Sequence, residues 1–162
     1  MQVSRRQFLR GDLSGRGTPL RPPWTSHDFV ARCTRCDACS KACPTAILTR
    51  GRDGFPEVDF ARGECTFCGD CVSACETGAL KHDGAAWSVK AEIGAACIAF
   101  EQVVCRSCGD ACEASAIQFR LHAGGVAVPV IDAESCTGCG ACIAPCPVGA
   151  IAMLHTEAEV TA

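Results

Sequence analysis

A chain of 162 residues with a net charge of −3 lacks the basic surplus that a phosphate backbone demands, so charge speaks against nucleic acid as a partner. Seven Phe, two Trp and no Tyr are too few large side chains for an ample organic core, in one domain or in two small ones. The 16 cysteines mean a disulfide scaffold or a metal protein; their gathering into C-x2-C clusters, with no secretory signal peptide ahead of them, speaks against the scaffold.

Residues 1–28 read as a basic arm. Ser4-Arg5-Arg6-Gln7-Phe8-Leu9 has the form of a twin-arginine export motif, but no apolar run follows. Asp12, Arg16, Arg21 and three prolines stand there instead, so the segment can neither act as a signal core nor span a membrane. Two readings stay open: a basic amphipathic helix with Phe8 and Leu9 on its apolar side, or a docking tag that imitates an export signal. Either reading keeps the protein in the cytoplasm. Pro22-Pro23 excludes helix at the end of the arm. Trp24 is expected to pack on the first cluster half, and Thr25 or Ser26 to cap a short helical turn running through Val30.

The chain then repeats. Residues 29–90 hold Cys33, Cys36, Cys39 and Cys43 in the order C-x2-C-x2-C-x3-C-P, then Cys65, Cys68, Cys71 and Cys75 at the same steps. Strands are expected at 46–48, 55–60 and 79–80. Residues 91–155 hold Cys97, Cys105, Cys108 and Cys112, then Cys136, Cys139, Cys142 and Cys146 followed by Pro147. Strands are expected at 116–119, 126–131 and 150–153, with Pro129 forcing an edge or a bulge. Residues 156–162 form a tail. The fold class is α+β: tandem bacterial 2[4Fe–4S] ferredoxin-like modules with short helices and small two-stranded sheets.

Three cysteines at steps of three, closed by a fourth at four, wrap a cubane cluster rather than a zinc ion, whose cysteine pairs are separated by a longer gap. Sixteen cysteines therefore predict four [4Fe–4S] clusters, each thiolate-ligated core adding about −2 to the charge. In this spacing the fourth cysteine serves the neighbouring cluster, which would join Cys75 to the first motif and Cys43 to the second, Cys146 to the third and Cys112 to the fourth; purely local ligation is the alternative. The third motif departs from the pattern, because Cys97 stands eight residues before Cys105. Cys97 is either a ligand on an expanded loop or a buried free thiol, and the division of sixteen into four sets of four favours the ligand. Glu76 and Glu113 replace the closing proline; they either make their clusters more reducing or face solvent with little effect. Gly69, Gly109, Gly138 and Gly140 would let backbone N–H groups approach cluster sulfides. The four histidines, 27, 82, 122 and 155, have no ligand spacing, and no nucleophile–base set or dinucleotide fingerprint appears, so no enzyme activity is expected.

With these parts assembled, the chain resembles the NapF family of ferredoxin-type proteins of the periplasmic nitrate reductase system. The resemblance rests on the S-R-R-Q-F-L-R start without a hydrophobic core, the 8+8 cysteine motifs, the altered third motif and the chain length. It implies a cytoplasmic polyferredoxin that assists maturation of the catalytic nitrate reductase subunit, with the cytoplasmic precursor of that subunit as partner. The competing reading is a general electron carrier or an electron-transfer subunit of an oxidoreductase complex; it shares every ligand and differs in having no use for the arm.

Overall fold

A computed structural model gives the fold over residues 19–122 and 125–155. The twin-arginine-like stretch and the tail lie outside the described residues. Loops that must bend around a cysteine every third position leave little room for regular structure. The described helices are accordingly about one turn each: α1 (Phe29–Arg32), α2 (Ala38–Ala42), α3 (Asp70–Ser73) and α4 (Ser107–Asp110). None of them is long and apolar enough to cross a membrane. The strands are β1 (Leu48–Arg50), β2 (Pro56–Val58), β3 (Val89–Ile93), β4 (Ile117–Leu121), β5 (Ala127–Ile131) and β6 (Ile151–His155). They pair as three antiparallel two-stranded sheets, β1–β2, β4–β5 and β3–β6, which bears out the α+β class.

Each half has one plan. A hairpin joins its two cysteine motifs: Leu48 faces Val58 in the first half, and Ile117 faces Ile131 in the second. The start of the half then pairs with its end. In the first half this is one bridge, Thr25 to Leu80; in the second it is the full β3–β6 ladder, from Val89 opposite His155 to Ile93 opposite Ile151. The difference follows from local sequence. Pro22 and Pro23 have no N–H to donate, and Trp24 sits at φ 57, out of the strand region, so the first ladder stops where it starts. Val89-Lys90-Ala91-Glu92-Ile93 has no such interruption. β3 was not foreseen, and it straddles the line drawn between residues 90 and 91.

Three local expectations need correction. Neither Thr25 nor Ser26 caps α1: the cap position is Asp28, without a side-chain cap bond. The Thr25 hydroxyl donates to the Pro22 carbonyl (2.6 Å) and the Ser26 hydroxyl to the Ala79 carbonyl (3.0 Å), because this stretch is held against the end of its own half. β1 starts at Leu48 rather than at residue 46, since Ala46 has φ 54 and belongs to a turn. Residues 79–80 make a single bridge instead of a strand.

Phe29, Ile47, Leu48, Phe55, Phe60 and Leu80 are buried in the first half, together with Cys65 and Cys71. The second core is smaller: Cys108, Ile117, Cys142 and Ile151. Cysteines are thus core members, as a chain short of large side chains requires. Ile143 packs on both cores, and Met153 reaches from the second half onto the first, where Trp87 also packs. At 1 % exposure, the Ile47 side chain contributes about 2–3 kcal/mol by leaving water.

Candidate metal centres

Four cavities are each lined by four cysteines. The first holds Cys33, Cys36, Cys39 and Cys75, the second Cys65, Cys68, Cys71 and Cys43. The third holds Cys97, Cys105, Cys108 and Cys146, the fourth Cys136, Cys139, Cys142 and Cys112. Each therefore takes its fourth cysteine from the other motif of the same half, and Cys97 stands with the third set. The cause is local. A single turn carries one cysteine toward each of two cavities: 39 and 43, 71 and 75, 108 and 112, 142 and 146. The first cavity is the roomiest, about 250 Å³ against about 20 Å³ in each of the other three.

Backbone conformation repeats where residue type does not. The residues either side of the second cysteine are left-handed in three motifs: Arg35 and Asp37, Phe67 and Gly69, Gly138 and Gly140. The expanded third motif breaks the pattern, with Arg106 at φ −132. After the last cysteine of all four motifs, the third residue on is left-handed (Ala46, Gly78, Ser115, Gly149), and its N–H donates back to that cysteine's carbonyl at 3.1, 3.3, 2.9 and 3.2 Å. A non-glycine residue held there costs about 1–2 kcal/mol, which marks a loop shape imposed from outside the residue.

Residues 32–79 and 103–150 each match the model of the 4Fe-4S dicluster domain. The ferredoxin-type protein NapF of Haemophilus influenzae is 47 % identical over 164 residues, covering 93 % of either chain. Its counterpart in Escherichia coli K12 is 42 % identical over 98 % of this chain and 99 % of its own length. The chain belongs to the NapF family of ferredoxin-type proteins. A more distant relative, the methylamine utilization ferredoxin-type protein MauM of Methylorubrum extorquens, is 32 % identical over 83 % of this chain and 70 % of its own.

Two dicluster domains mean that the NapF-family chain carries four [4Fe–4S] clusters. The cavities fit that group: each offers four thiol donors around a void. Among the described residues no three His, Cys, Asp or Glu side chains converge tightly enough to hold a single ion. When bound, such clusters supply one-electron transfer at potentials set by charge, exposure and hydrogen bonds to sulfur. The second dicluster match begins at residue 103, so Cys97 lies outside it.

The sulfurs differ in their surroundings. Burial pushes the Cys71 and Cys142 thiols up to about 12 and Cys65 to about 11, with neighbouring cysteines adding to the effect. Loading therefore takes protons off groups that hold them firmly. Cys43 and Cys75 go the other way. Burial again raises them, but hydroxyl and backbone N–H donors outweigh it. At Cys43 the hydroxyl is that of Thr45 at 3.5 Å; at Cys75 it is that of Thr77 at 3.6 Å. Leu80 N–H donates to the Cys75 sulfur (3.4 Å), and Ala150 N–H to that of Cys146 (3.3 Å). The hydroxyls went unnoticed in the sequence, although Cys-x-Thr after two successive motifs carried the signal.

The glycines serve packing more visibly than sulfide contact. A side chain at Gly140 would lie 2.1 Å from the Phe60 ring, one at Gly138 2.5 Å from the Val89 carbonyl and 2.8 Å from the Trp87 indole nitrogen. Gly69 lies under His82 and Gly109 under Phe119. Trp24 lines the second cavity and packs against His82, ring centroids 4.2 Å apart and planes tilted by 54°. The Trp87 indole N–H is buried with no hydrogen-bond acceptor among the described residues, a costly arrangement for a donor beside the fourth motif. Lys90, on β3, donates to the Cys136 carbonyl and sets a cation beside the fourth cavity. Glu76 lines the first cavity and, like Glu113, is exposed.

Proposed function

We propose that this protein acts in the cytoplasm on the precursor of the catalytic subunit of the periplasmic nitrate reductase, assisting its maturation before export through cluster-based electron transfer or cofactor insertion. All sixteen cysteines serve as ligands, in the four sets that line the cavities. The protein carries electrons and is not itself an enzyme. The supporting observation is the extent of the NapF likeness: in the Escherichia coli relative it covers 98 % of this chain, more than the two cysteine-bearing halves alone. An electron carrier needs only those halves. The basic arm with Arg5-Arg6 imitates the start of an exported protein, and a shared maturation machinery is where such a likeness has a use.

Pull-down of the nitrate reductase precursor from anaerobic extract tests this, with the intact holoprotein beside one lacking residues 1–20. Capture by the intact protein and its loss on removal of the arm is the expected result. Absence of capture by either form favours the general electron carrier or oxidoreductase subunit instead.

A further inference from the structure

The two halves meet at particular cysteines. The backbone N–H of Cys65, in the second set, donates to the carbonyl of Cys139, in the fourth, at 2.8 Å. Around that bond Phe60 lies on Gly140 and Trp87 on Gly138. Trp87 also meets the Phe60 ring edge-on at 5.7 Å and the Phe67 ring at 6.1 Å. Within each half, the turns that carry 39 with 43, 71 with 75, 108 with 112 and 142 with 146 tie the first cavity to the second and the third to the fourth.

We infer that electrons cross between the halves from the second site to the fourth, or back, so that the four sites form one row in the order first, second, fourth, third. Chain order and spatial order therefore differ. The first site, where Cys36 is exposed, stands at one end of the row, and the third, lined by Cys97, at the other. In the step across the Cys65–Cys139 contact one electron leaves one site and arrives at the other. One site is oxidised, the other reduced, and no proton or bond changes. A one-electron donor protein at one end and a one-electron acceptor protein at the other complete the balance. This inference rests on the ligand sets proposed above.

The test uses the full holoprotein reduced with dithionite, with spin coupling between clusters read by electron paramagnetic resonance and iron counted in parallel. Removing the second or fourth cluster, through Cys68→Ala or Cys139→Ala, is expected to leave one isolated, uncoupled spin per chain. Removing the first or third, through Cys36→Ala or Cys105→Ala, is expected to leave none. An isolated spin in either of the latter, or its absence in both of the former, overturns the order. An unchanged iron count in any of the four instead overturns the ligand set. Where a variant loses more than one cluster, Phe60→Trp gives the same test without touching a cysteine or a ligating loop. The larger ring against Gly140 widens the gap between the halves. One coupling should weaken at full iron content; unaltered couplings overturn the inference.

Discussion

Glu76 and Glu113 occupy the position that Pro44 and Pro147 fill in the other two motifs, yet all four turns close with the same hydrogen bond and the same left-handed third residue. The proline is therefore not what bends the chain; the requirement to send consecutive cysteines to different cavities is. A Glu76→Pro variant should fold and load normally. Because Glu76 lines the first cavity while exposed to water, loss of its charge should raise that cluster's midpoint potential, by less than the roughly 59 mV of a tenfold change in a one-electron couple. Unchanged midpoints in a redox titration would sink the idea that these glutamates tune potential. Thr45 is the stronger lever, because its hydroxyl lies beside the Cys43 sulfur. Thr45→Val keeps the volume and removes that hydrogen bond. The second cluster should become harder to reduce by on the order of 1 kcal/mol, with the other three midpoints as internal controls.

The element that most departs from the repeat is the loop from Cys97 to Cys105. It holds a left-handed Gln102 and bears the exposed Val103 and Val104, while Cys97 itself lies half-buried at the third cavity. Cys97→Ser should take the anaerobic protein from about sixteen iron atoms to about twelve, or leave a cluster that chelator strips first, while Cys36-bearing and Cys68-bearing sites stay filled. Full retention of iron with unchanged lability would make Cys97 a bystander. β3 is the element that sequence reading overlooked. Val89-Lys90-Ala91-Glu92-Ile93 alternates apolar and charged residues with the period of two of a half-buried strand, so the signal stood in the sequence, while the partner β6 lies about sixty residues on. Its consequence is large, because it delivers Trp87 and Lys90 to the fourth motif.

At the scale of the whole molecule the clusters do the work that a larger hydrophobic core does elsewhere. Cys65, Cys71, Cys108 and Cys142 are core residues, and Ile143 packs on both cores. Removing iron under oxidant and chelator should therefore collapse far-UV circular dichroism together with the broad absorbance near ~400 nm, in one process rather than two. Persistence of secondary structure in iron-free protein would show that the organic core suffices.

The cofactor, the number of sites and the hairpin in each half were legible in the sequence, because cluster ligation demands cysteines at fixed steps, and a fixed step is a local property that chain order records. Exchange of the fourth cysteine was legible as one of two options, and the cysteines that line each cavity are gathered in the exchanged sets. Cys97 was legible as the favoured member of the third set, by counting alone; the contact between the halves was not legible. Which half-surface meets which depends on shape, on Phe60 finding Gly140 and Trp87 finding Gly138, and on a backbone bond from Cys65 to Cys139 that joins residues 74 apart without any sequence signature. Spacing sets what each loop can bind. Only the packing of two nearly equivalent halves decides which bound groups stand close enough to exchange an electron.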